Sequence, residues 1–336
     1  EAVVAYVNPM YSGDHVKKVD TYNPNILINP SFTVMQRGDV IDHNISSYGP
    51  DRWKVRGKEG AGGSSIKSRI DSTSGINKLV VESLGSGQYP ILSHSNVDQR
   101  IEAVNLLGLY GKEMTFSFSY SDVGGSGVPK TLAQSRDSSN TPKELFYAVP
   151  TPLGNNRWTC TFTLSTDDGT VPDPSEEGLH IVVYANTDSN GDRDLAPDEW
   201  SLWETKLEVG SVATPFIARP YGEELALCQR YYWETSSLND LPYNAGFIAN
   251  RCSSSKNEYV AIIDLPVPMR AIPSTTHSLS MVHKPNIVLE KVSSANPSSQ
   301  RVDCVQIAVT PETDSGSLDC LSLFPYGGSI TADAEL

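Results

Sequence analysis

Met114-Thr115-Phe116-Ser117-Phe118-Ser119-Tyr120 decides the fold class. Large apolar side chains alternate with hydroxyls, and a period of two puts the first set on one face of a strand and the second on the other. Trp158-Thr159-Cys160-Thr161-Phe162-Thr163-Leu164 repeats the pattern, and further runs of the same kind lie at Lys78–Glu82, Leu179–Tyr184 and Trp200–Val209. Gly, Ser, Asn, Asp and Pro separate them. Strands spaced this way, with no helical pattern between them, predict antiparallel sheets packed as a β-sandwich or jelly roll, and argue against a parallel α/β sheet with a dinucleotide site.

Working outward, one short helix stands out. Glu223 and Glu224 follow Pro220-Tyr221-Gly222, and Leu225, Cys228 and Tyr232 recur at helical spacing. The paired glutamates sit where the helix dipole favours negative charge and Arg230 sits near the opposite end. Further strands are expected at Tyr259–Leu265, Asn286–Val292, Val302–Thr310 and Leu318–Phe324, while the two prolines of Leu265-Pro266-Val267-Pro268-Met269-Arg270 suit an edge or connection. At roughly 150 residues per domain, 336 residues make about two domains. The expected division is a linker or collar over 1–24, a jelly roll over 25–220, a helical junction over 221–242 and a smaller C-terminal β domain over 243–336. The class is all-β. No internal repeat or heptad pattern is present.

The net charge of −14 works against a sequence-independent grip on nucleic acid or an anionic membrane. No stretch approaches 18 consecutive apolar residues, so no membrane insertion is expected, and the opening at Glu1, without a basic and apolar leader, reads as a processed or trimmed piece. Cys160, Cys228, Cys252, Cys304 and Cys320 are odd in number and lack zinc spacing. All five are expected reduced, as in a reducing cytoplasm, with a Cys304–Cys320 bridge left open. A sequon occurs at Asn44-Ile45-Ser46.

Two stretches are more particular than composition. Asn25-Ile26-Leu27-Ile28-Asn29-Pro30-Ser31-Phe32, followed by Gln36-Arg37-Gly38 and Tyr48-Gly49-Pro50-Asp51-Arg52-Trp53, resembles the opening of the carbohydrate-binding-module-like domain of tailed-bacteriophage tail fibres and receptor-binding proteins. The run from Trp203 to Phe216, continuing from Arg219 to Tyr232, is similar to that family's final strand and junction helix. Pro266–Ala271 and Asp333–Leu336 are similar to the closing domain that follows. The resemblance implies a jelly roll, a C-terminal β domain and a homotrimer in a virion tail fibre or appendage, assembled in the host cytoplasm with other tail proteins. A bacterial surface glycan would be its receptor.

The sharpest local signal is the acidic run Asp188–Glu199. Asp188, Asn190, Asp192 and Glu199 hold the carboxylate and amide positions of a calcium loop, Asp194 supplies a carbonyl and Leu195 the apolar position. Arg193 replaces the turn glycine and the flanks read as strands. Bound calcium and a water-solvated acidic hairpin both fit; no cofactor is required. Flat aromatic faces take sugar rings. By alternation with Leu207 and Val209, Trp203 is expected in the core and Trp200 on the opposite face beside the acidic loop, so Trp200 and Tyr184 are the glycan-binding candidates. Trp53 is expected to be structural, with Asp51 and Arg52 pairing locally. No nucleophile elbow, zincin or Walker motif is present, and the six scattered histidines suggest no catalytic set, so no catalytic residue is assigned. The expected function is a non-enzymatic adhesin. The alternatives are a structural fibre cap or spacer, or a glycan-binding module of a bacterial or prophage enzyme.

Overall fold

The computed structural model describes residues 24–335 except 39, 44–45, 57–65, 84–94, 124–126, 186–198, 235–246, 252–258, 278–279, 284–289, 299–300, 312–319 and 328–329. Its first strands are β1 (Val40–His43), β2 (Ser46–Tyr48), β3 (Lys54–Arg56), β4 (Ile66–Asp71), β5 (Lys78–Ser83), β6 (Ser95–Glu102) and β7 (Glu113–Val123). Then come β8 (Lys130–Arg136), β9 (Pro142–Ala148), β10 (Thr151–Gly154), β11 (Arg157–Thr163), β12 (Glu177–Ala185) and β13 (Glu199–Val209). All pair antiparallel in two sheets, one ordered β1-β4-β5-β13-β7-β11-β10 and the other β2-β3-β6-β12-β8-β9. The fold is the expected all-β sandwich.

The inner faces carry the apolar half of each alternation. Met114, Phe116, Phe118 and Tyr120 of β7 face Val97 and Ile101 of β6 and Leu179, Ile181 and Val183 of β12 in one buried cluster. Each such side chain contributes about 1.5–3 kcal/mol through removal from water. Gly178 is needed at the start of β12, because a Cβ there would lie 2.7 Å from the Ala103 Cα of the 3-10 turn Ala103–Leu106.

The tryptophans of β13 reverse the expected phase. Trp200 is wholly buried, its ring 5.8 Å from Tyr120 and its indole N–H donating to Ser95 Oγ at 2.8 Å. Trp203 is buried as expected, at 9% exposure, but its register puts it on the outward face, where Lys78 Nζ sits 4.7 Å over its ring. The cause is a β-bulge: the register with β7 shifts between Trp203 and Lys206, with Glu204 at φ 49°. Counting back from Leu207 across the extra residue exchanges the two faces. Trp200, with Leu202, therefore shares the inner face with Leu207 and is corrected from glycan contact to core.

The helix α1 runs Tyr221–Gln229, one turn shorter than its apolar spacing suggests. Tyr232 instead opens β14 (Tyr232–Glu234). Beyond it lie β15 (Phe247–Arg251), β16 (Tyr259–Asp264), β17 (Ser274–His277), β18 (Ser280–His283), β19 (Glu290–Ser298), β20 (Cys304–Pro311), β21 (Cys320–Gly327) and β22 (Ile330–Asp333). Six of these close a barrel in the order β15-β16-β20-β19-β18-β21, while β14-β22-β17 form a small separate sheet. The end of the chain thus returns to the segment that leaves the helix. No helix among the described residues is long and apolar enough to cross a membrane. Cys160, Cys228 and Cys304 are buried, the first two as free thiols.

Candidate functional site

The motif residues converge on one buried polar junction. Asn29, at φ 53°, donates its amide to Val34 O and Asp51 O and accepts from the Thr33 and Val34 N–H groups, while its carbonyl takes the Trp53 indole N–H at 2.8 Å. Its own N–H donates to Glu224 of α1, which also pairs with Arg219. Arg52, wholly buried at φ 72°, pairs with Glu335 rather than with Asp51, and its guanidinium lies 3.6 Å over Tyr231. Asp51 accepts from Gln36 at 2.5 Å and pairs with Arg37, which also reaches Asp333 and Glu335. The expected local Asp51–Arg52 pair is replaced by these longer-range partners because the left-handed backbone at Arg52 turns consecutive side chains apart.

Glu102 anchors the other side. It accepts from Tyr231 at 2.6 Å and pairs with Arg230 and Arg270 at 3.0 and 2.9 Å. Burial alone would raise its carboxyl, but these three donors hold it below the usual carboxylate range. Arg230 therefore answers Glu102 as well as the helix dipole. Apart from Arg52 Nε, which has no hydrogen-bond partner among the described residues, these groups pair with one another inside the protein, so the junction is a structural clasp.

A surface suited to a ligand lies on the outward face of the six-stranded sheet. Cross-strand register builds it as a grid. Its middle row runs Tyr48 (β2), Lys54 (β3), Asp98 (β6), Val182 (β12), Leu132 (β8) and Tyr147 (β9). On one side stand Ser46, Arg56, Asn96, Tyr184 and Lys130, and on the other Arg100, His180, Gln134 and Glu144. Strands about 4.8 Å apart make this row about 24 Å long.

Within the grid Arg56 donates to Asp98 at 2.5 Å, and His180 Nε2 lies 3.1 Å from the other carboxylate oxygen. Burial would raise the Asp98 carboxyl, but His180 and Arg56 hold it below the usual range. Glu177, at the edge of the grid, is shared by Arg100 at 3.1 Å and Arg136 at 3.3 Å. At the opposite corner the Tyr147 and Tyr184 rings meet edge to face at 6.3 Å, and Lys130 Nζ lies 4.0 Å over Tyr147. Asn96 Oδ1 and Arg100 Nε have no hydrogen-bond partner among the described residues. Half-buried tyrosines beside fixed donors and acceptors offer apolar faces and polar edges together.

Tyr184 therefore stands in this grid, while Trp200 does not. Asp188, Asn190, Asp192 and Asp194 lie outside the described residues, as does Asn44 of the sequon. Glu199 pairs with Arg69 at 3.1 Å. Among the described residues no group of three or more His, Cys, Asp or Glu is arranged to hold a metal ion. Sequence reasoning missed Tyr48, Arg56, Asp98, Tyr147 and His180. The signal that could have found them is the off-phase half of each strand, Asn96-x-Asp98-x-Arg100 and His180-x-Val182-x-Tyr184.

No protein-family model matches the chain, and no curated protein does. Among solved structures, it is similar to the C-terminal family 22 carbohydrate binding module of Clostridium thermocellum Xyn10B, at 12% identity and TM-score 0.31 over 49% of this chain and 89% of that one. The CBM22-1–CBM22-2 tandem of Paenibacillus barcinonensis Xyn10C matches at 12% identity and TM-score 0.31 over 92% and 97%. The enzymatically active domain of bacteriophage CBA120 tailspike protein 4 matches at 9% identity and TM-score 0.26 over 55% and 21%. All three similarities are distant.

Proposed function

We propose that the chain is a non-catalytic glycan-binding protein whose ligand lies along the outward face of the six-stranded sheet. The observation that carries this reading is the Tyr147–Tyr184 corner beside the Arg56–Asp98–His180 set. A sugar ring needs apolar surface for its C–H face and oriented donors and acceptors for its hydroxyls, and this grid holds both. A row of six strands also suits several linked sugars rather than one.

The finer reading is a trimeric tail-fibre adhesin on a virion, binding bacterial surface glycan. Its support is the motif resemblance of residues 25–53 and 203–232. Weak sites held three to a trimer would bind through avidity. A glycan array probed with the full chain tests the first claim: binding to at least one surface polysaccharide is expected, and silence across the array contradicts it. Light scattering after size exclusion tests the second, with a trimer of the 36.5 kDa chain expected and a monomer favouring an appended module instead.

One observation favours a second reading, a rigid cap or spacer. The residues that carry the family resemblance, Asn29, Gln36, Asp51, Arg52 and Glu224 among them, are engaged in the junction. A chain that trimerises and binds no glycan would take that role.

A further inference from the structure

The outward face of the six-stranded sheet differs in charge from the chain that carries it. The whole chain is −14. The grid and its edge instead hold Lys54, Arg56, Arg100, Lys130 and Arg136, with His180, against Asp98, Glu144 and Glu177.

Two of those carboxylates are already shared. Asp98 lies between Arg56 and His180, and Glu177 between Arg100 and Arg136. A single carboxylate cannot neutralise two guanidinium groups, so surplus positive charge remains at the Glu177 edge. Lys54, cross-strand from Asp98, makes no ion pair among the described residues, and Lys130 sits at the tyrosine corner. The cations therefore stand within the grid, Arg56 and Lys130 on either side of Asn96 and Tyr184 in one row. Partial burial, then the neighbouring Arg56, lower the Lys54 ammonium, while Asp98 acts to raise it. Arg100 Nε adds a buried donor without a partner among the described residues.

From this arrangement we infer that the ligand of the site is an anionic glycan, one whose sugars carry carboxylate, sulfate or phosphate groups. The inference rests on the glycan-binding reading and narrows it. The net charge of the chain repels a polyanion, so the cations of this face oppose that repulsion where the ligand lies. The guanidinium groups offer fork geometry matched to such anions, and the tyrosines hold the ring between them.

Matched glycan pairs test it with the full chain: a polyuronate and its carboxyl-reduced form, a sulfated galactan and its desulfated form, and a phosphorylated mannan and its dephosphorylated form. Polyglutamate serves as an anion without sugar. The charged member of at least one pair is expected to bind about tenfold or more tightly than its neutral partner, with the gap shrinking in high salt. The double variant Lys54→Gln/Lys130→Gln should narrow that gap, weakening the charged member of the pair more than its neutral partner. Equal or tighter binding of the neutral members overturns the anionic assignment and leaves the glycan reading standing. Equal binding of polyglutamate overturns it as simple ion exchange. No binding by any sugar overturns both.

Discussion

Asn29 uses every polar atom it has, linking the first loop, the Asp51–Trp53 turn and α1. Replacing it with alanine leaves several buried backbone groups unpaired, so Asn29→Ala should lower stability by about 3 kcal/mol or more in urea melts. Asp51 gives a pH signature. Burial raises its carboxyl to about 6 despite the donors Gln36 and Arg37, against 3.8 ordinarily. Between those values the native state keeps a proton the unfolded chain has released. The contribution is fully present below the lower value and is lost as pH rises through the higher one, amounting to about 3 kcal/mol. Asp98 and Glu102, held low, act in the opposite sense and lose their contribution only in stronger acid. Thermal stability should therefore rise from about pH 7 to about pH 5 and fall below about pH 4. Asp51→Asn should flatten the first limb; an unchanged slope would assign it to other groups.

At the scale of elements, β7 was legible because nothing interrupts its alternation, and Met114, Phe116, Phe118 and Tyr120 all reach the core. β13 was misread because its phase changes at Glu204, a non-glycine residue at positive φ that carries no sequence mark of a bulge. Likewise Tyr232 keeps helical spacing but pairs with Asp333 of β22, since the end of the chain supplies a strand partner that local pattern cannot show. The Trp200/Trp203 exchange is measurable. Trp200→Ala should cost about 3–5 kcal/mol and Trp203→Ala, outside the core cluster, less. Gly178→Ala should cost about 1–3 kcal/mol, because the Cβ meets backbone at Ala103.

For the whole molecule, the buried charges at Glu102, Arg52 and Glu335 tie the sandwich to α1, β14 and β22. Breaking such a pair by removing one partner costs about 3–5 kcal/mol. Glu102→Ala should therefore lower the main calorimetric transition, and an unaltered transition would show the clasp to be inert. The residues of the sequence motifs meet in this clasp, while the proposed ligand face was hidden in the polar phases of six separated strands that only register brings together. The most direct test compares the two outward faces by titrating the best glycan from an array into the wild type, Tyr147→Ala/Tyr184→Ala and Trp203→Ala. The account predicts at least tenfold weaker binding for the tyrosine variant and unchanged binding for the tryptophan variant. Full binding by a folded tyrosine variant, or loss confined to Trp203→Ala, would contradict it.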